Sequence, residues 1–81
     1  MNKEWILLHL REARQELDKA ITNMESDPEY DEIELKLSLE HLYNHINTAW
    51  NSRNERMERV AKHSEADFYE WRAFPRDIQM D

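Results

Sequence analysis

The chain has no cysteine, no glycine and only two prolines in 81 residues. Without cysteine there is no disulfide, no thiol nucleophile and no Cys-based zinc site. Without glycine there is no glycine-rich phosphate loop, and the usual supplier of the positive φ angles that β-hairpins need is missing. A small sheet fold and a disulfide-stapled domain are both disfavoured. Long hydrophobic runs are absent too. The apolar run near the amino terminus, Trp5-Ile6-Leu7-Leu8, is far shorter than a secretion-signal core or a membrane span. The expected setting is therefore the cytoplasm, with which a cysteine-free chain is compatible.

Basic residues are the minority: 11 against 18 acidic ones, a formal net charge of −7. Such a chain repels phosphate backbones unless it concentrates its positive charge. The densest basic stretch, Arg53, Arg56, Arg59 and Lys62, is interleaved with Glu55 and Glu58. Neither nucleic acid nor a membrane is expected as a partner.

What fills the chain instead is Leu, Glu, Arg, Lys, Ala and Met, all good helix formers, so the expected class is all-α. A first helix is expected to start at an Asn2 cap and run to about Met24 or Ser26. Its apolar positions Ile6, Leu10, Ala13, Leu17, Ala20 and Met24 are spaced 4, 3, 4, 3, 4, an uninterrupted heptad stripe. Ser26-Asp27-Pro28-Glu29 breaks the pattern. Proline at a first helical position loses nothing, and Asp27 can cap free N–H groups. A second, long helix is read from Pro28 to about Lys62, with Leu35, Leu39, Leu42, Ile46 and Ala49 on its stripe. A short connection between the two makes them antiparallel neighbours, Met24 near Leu35 and Ile6 near Arg53.

Ser64-Glu65-Ala66-Asp67 resembles a capping box and opens a short third helix to about Ala73. Its rings Phe68, Tyr69, Trp71 and Phe74 are expected to fold back on Met57, Val60, Ala61 and Trp5. Residues 1–75 read as one helical-hairpin domain and 76–81 as a flexible C-terminal tail.

A lone hairpin buries little more than the facing rows of its two helices, and this chain's apolar sectors are wider. Leu7, Ile21, Ile33, Leu37, Tyr43, Trp50 and Met57 flank the stripes and read as interface. Two hairpins closing into a twofold four-helix bundle would cover them. The expected partner is thus a second copy, with another protein's helix or the aromatic tail as the competing cover.

Candidate chemistry is sparse. His41 and His45, four residues apart on one helix face, can share a metal ion, but a competent site wants a third protein ligand. Asn44, Asn47, Asn51 and Asn54 form a polar row with spacing 3, 4, 3 in poor helix formers. They are a candidate partner surface, weighed against a plain solvated face. Arg11, Arg14, Arg53 and Arg56 are a candidate anion site at the open end of the hairpin, weighed against the commoner case of arginines lying over apolar surface and pairing with Glu. No catalytic constellation is visible and no cofactor is implied. The functional reading is a non-enzymatic protein–protein interaction module (adaptor, regulator or assembly factor) acting as a homodimer, with a metal-binding bundle using His41 and His45 as the alternative.

Overall fold

A computed structural model describes residues 1–80 as an all-helical chain. In order these are α1 (Lys3–Ser26), α2 (Glu32–Asn51), α3 (Met57–Ala61) and α4 (Glu65–Arg72). No described residue has a positive φ, in keeping with a chain that has no glycine. The expected tail over 76–81 ends on Asp81, which lies outside the described residues.

α1 starts where expected. The Asn2 side chain accepts from the Trp5 backbone N–H at 3.1 Å, an N-cap bond. The turn differs in detail from the sequence reading. Asp27 accepts from the Glu29 N–H at 2.9 Å and starts a turn that Pro28 rigidifies. Helix α2 begins only at Glu32, capped by Asp31, whose side chain accepts from the Glu34 N–H at 3.0 Å.

The expected long second helix is not formed. It ends at Asn51, and the polar stretch Asn51-Ser52-Arg53-Asn54 carries the break. These residues hold helix weakly because their side chains compete for backbone partners. The Ser52 hydroxyl bonds back to the Thr48 carbonyl and accepts the Trp5 indole N–H at 2.7 Å. Carbonyls freed by the break are taken up by the start of α1: Asn2 N–H donates to Arg53 O at 2.7 Å, and Asn2 Nδ2 to Glu55 O at 2.9 Å. One asparagine thus caps α1 and ties it to the end of α2.

The antiparallel register follows the sequence reading. Trp5 meets Ser52, His9 meets His45, Glu16 meets His41, and Met24 shares a hollow with Leu35. The seam residues differ from the expected stripe. On α1 the partly or fully buried positions are Trp5, Ile6, His9, Glu12, Ala13, Glu16 and Ala20; on α2 they are Leu35, Ser38, Leu42, Asn44, His45, Asn47, Thr48, Ala49 and Asn51, with Ser52 buried at its C-cap and Asn47 and Asn51 held by α4. Ala13 and Ala49 are 6% and 7% exposed, and their small size lets the helices approach closely. Trp5, off the expected stripe, is part of the seam because its N–H needs the buried Ser52 hydroxyl.

α4 packs on α2, away from α1. Its capping box is complete: Ser64 Oγ accepts from Asp67 N–H at 3.1 Å and Asp67 accepts from Ser64 N–H at 2.9 Å. Only Trp71 of the tail's rings is buried, beneath Arg59 and beside His63. Phe68, Tyr69 and Phe74 remain exposed, so the fold-back of the aromatic tail is confined to one ring. Residues just beyond α4 are also engaged: Trp50 N–H donates to Asp77 at 2.8 Å, and Arg53 stacks on Trp50 at 3.8 Å.

Candidate interaction surface

The intrachain seam lies about 60° round each helix from the hydrophobic stripe, taking 100° per residue. As a result much of the stripe stays uncovered. On α1, Leu10, Leu17, Ile21 and Met24 are 46–53% exposed, and on α2 Leu39 and Ile46 are 40% and 43% exposed. The helices meet through a mixed row of two histidines, a glutamate, two serines and three alanines, with Trp5, Leu35 and Leu42. Ala13, Ala20, Leu35, Leu42 and Ala49 of the expected stripe remain in the seam, while polar residues take the places expected of Leu10, Leu17, Leu39 and Ile46.

On both helices the exposed apolar row is displaced from the seam in the same rotational sense. In an antiparallel pair, that shared sense leads to the same side of the hairpin. Leu7, Leu10, Leu17, Ile21 and Met24 therefore lie beside Leu39, Tyr43, Ile46 and Trp50 on one face. The hollow at the loop end, lined by both Met24 and Leu35, joins the two rows. Of the expected interface residues, Leu7, Ile21, Tyr43 and Trp50 belong to this face. Ile33 and Leu37 are exposed but turn to the far side of α2, and Met57 is exposed on α3.

The asparagine row is divided. Asn47 is buried and donates to Arg72 O at 3.0 Å, while Asn51 donates to Trp71 O at 2.8 Å and Ala73 O at 2.7 Å. These amides satisfy the last carbonyls of α4, which no intrahelical N–H can reach. Two of the four asparagines are therefore occupied inside the chain as the clasp for α4. Asn44 is half-buried at the α2–α4 groove and Asn54 faces solvent. The sequence signal was sound as a local inconsistency; its partner is the chain's own carboxyl-terminal helix.

His41 and His45 are not gathered to one point. The His45 ring faces His9, Nδ1 to Nδ1 at 3.1 Å, and His41 Nδ1 lies 3.7 Å from Glu16 Oε2. No group of three or more His, Asp or Glu side chains among the described residues is arranged to hold a metal ion. In the His9–His45 pair one Nδ1–H must donate to a bare Nδ1, so the pair holds one proton between those atoms. His9 also touches the Trp5 ring at 4.3 Å, and its Nε2 is buried without a partner. Burial, followed by repulsion from His45, pushes the His9 pKa down from 6.5 to about 4. Sequence reading missed this pair because His9 and His45 are 36 residues apart and only the seam's rotation brings them together.

The four arginines of the open end also separate. Arg53 stacks on Trp50 and reaches Asp77 at 3.8 Å, while Arg11, Arg14 and Arg56 are exposed. Arg59 instead pairs with Asp67 at 2.6 Å, and the Ser64 backbone N–H and Arg59 together hold that carboxyl below the usual range.

No helix of the described residues is long and apolar enough to cross a membrane. No protein-family model matches the chain, and no curated protein or solved structure is significantly similar to it.

Proposed function

We propose that the chain is a non-enzymatic protein–protein interaction module, of the adaptor, regulator or assembly-factor kind, and that it works as a homodimer through the apolar face of its α1–α2 hairpin. The observation that carries this reading is the exposed row of large side chains on one side of both helices. The chain exposes 6622 Å², against about 5200 Å² expected for a compact 10 kDa monomer. The excess, about 1400 Å², is more than the ~800 Å² that each partner gives to a standard interface. Each large side chain taken from water contributes roughly 1.5–3 kcal/mol at full burial, so half-exposed residues in this number suffice to offset association costs.

The buried set supports the same reading. Among the described residues the buried apolar side chains are Ala13, Ala49, Val60, Trp71 and Pro75, a small core for a chain of this size. The cytoplasm is the setting that goes with this proposal. Substituting Leu17→Glu and Ile21→Glu together tests the face: the variant should remain helical by circular dichroism yet lose self-association. Retained association in that variant would remove the face from the proposal.

A further inference from the structure

The inner apolar residues of the face are symmetrically spaced about one centre on each helix, and the two centres lie at the same height. On α1 the row reads Lys3, Leu7, Leu10, Arg14, Leu17, Ile21, Met24. About Arg14, Leu10 mirrors Leu17 and Leu7 mirrors Ile21. On α2 the row reads Glu32, Lys36, Leu39, Tyr43, Ile46, Trp50, Arg53. About Tyr43, Leu39 mirrors Ile46, while Lys36 falls opposite Trp50 and Glu32 opposite the oppositely charged Arg53. The intrachain register, His9 to His45 and Glu16 to His41, sets Arg14 level with residues 41–43. A twofold axis crossing the face at that level serves both helices at once.

Charge chooses between the two ways of stacking such faces. Residues 20–35, which form the loop end, carry Glu25, Asp27, Glu29, Asp31, Glu32 and Glu34 and no basic residue. The open end carries Lys3, Arg11, Arg53 and Arg56, along with Glu4, Glu12, Glu55 and the Asp77 that pairs with Arg53. With loop ends together, α1 of one copy lies on α2 of the other. Lys3 then meets Arg53, Glu25 meets Glu32, and two six-carboxylate loops sit side by side within a Debye length of ~8 Å. With loop ends opposed, α1 lies on α1 and α2 on α2. Lys3 then meets Glu25, Arg11 meets Asp18, and Glu32 meets Arg53. The one like pair left is Arg14 with its own copy, on stems long enough to carry both guanidinium groups out to water.

We infer that the second copy docks with its loop end over the open end of the first, about a twofold axis that runs across both helices at the level of Arg14 and Tyr43. This rests on the homodimer proposed above and fixes its geometry. The flat face measures about 30 Å by 20 Å, from 1.5 Å rise per residue and two helices ~10 Å apart. That is a contact on the scale of a standard interface before side-chain relief is added.

A cysteine-free chain makes the test direct, since any thiol is the one introduced. Lys3→Cys, Glu25→Cys and Glu32→Cys all replace exposed residues, and circular dichroism checks that each variant is as helical as the parent. Equimolar mixtures are treated with a short bis-maleimide after solution mass has been measured. The opposed arrangement converts the Lys3→Cys and Glu25→Cys mixture into a covalent species of twice the 10.0 kDa chain, while the Glu25→Cys and Glu32→Cys mixture stays single. The reverse pattern overturns the orientation and leaves the homodimer standing. Dimeric mass with neither mixture cross-linked also overturns it, because the face is then not the contact. A monomeric mass of the parent chain removes the homodimer itself.

Discussion

The His9–His45 contact gives the hairpin seam a pH dependence whose size and sign can be worked out. Above pH 6.5 His9 is neutral in both folded and unfolded chains and contributes nothing to pH dependence. Its folded pKa is lowered to about 4, so as pH falls below 6.5 the unfolded chain takes up a proton that the folded chain refuses. Stability therefore falls between pH 6.5 and about 4 and levels off, for this group, below that. The displacement from 6.5 to about 4 corresponds to about 3.4 kcal/mol at full value, and the ring's partial contact with solvent reduces the expected loss to about 1.5–2 kcal/mol. Asp67 and Asp77 have pKa values lowered from 3.8, so the stability they add is lost at lower pH than this window. Urea denaturation followed by circular dichroism, at fixed chain concentration from pH 7 to pH 5, reads the effect. His9→Leu should flatten the slope over that range while His41, His45 and His63 remain. An unchanged slope in His9→Leu would refute the burial argument for this ring.

The amide clasp predicts a local effect. Asn51→Ala leaves the Trp71 and Ala73 carbonyls without their donor and should cost about 1–3 kcal/mol, seen as earlier loss of the buried Trp71 fluorescence while α1–α2 helicity persists; simultaneous loss of both would place the clasp in the main cooperative unit. At the other end, Trp5→Phe removes the indole donor to the wholly buried Ser52, and a denaturation midpoint lowered by about 1–2 kcal/mol is expected. Ala13→Leu overfills the close approach to α2 and should destabilise the hairpin by about 1–3 kcal/mol; a neutral result would show that the seam is looser than described.

Helix type and the ends of α1 and α4 were legible because they rest on local chemistry: Asn2 and Ser64 are caps, and Asp27-Pro28 is a break. The register was legible too, since a short turn leaves antiparallel pairing few alternatives. The seam was not. Heptad reading assigns the most hydrophobic stripe to the nearest neighbour, which holds only when that neighbour is what the stripe is built for. Here Trp5, Ser52, His9 and His45 form a polar lock that draws the helices together beside the stripe and leaves Leu10, Leu17, Leu39 and Ile46 outside. The end of α2 was missed for a related reason. Asn51 and Asn54 were weighed as part of a surface row with Asn44 and Asn47, whereas the helix-competing chemistry of Asn51-Ser52-Arg53-Asn54 terminates the helix and receives Asn2. Of the candidate site, the flank residues Leu7, Ile21, Tyr43 and Trp50 were found in sequence; their union with the stripe on one face required the rotation of the seam.

Self-association through that face is the central claim, and solution mass by light scattering across a dilution series of untagged protein tests it most directly. The account predicts a mass twice that of the 10.0 kDa chain, held into the low micromolar range. A folded, helical monomer at every concentration would contradict it.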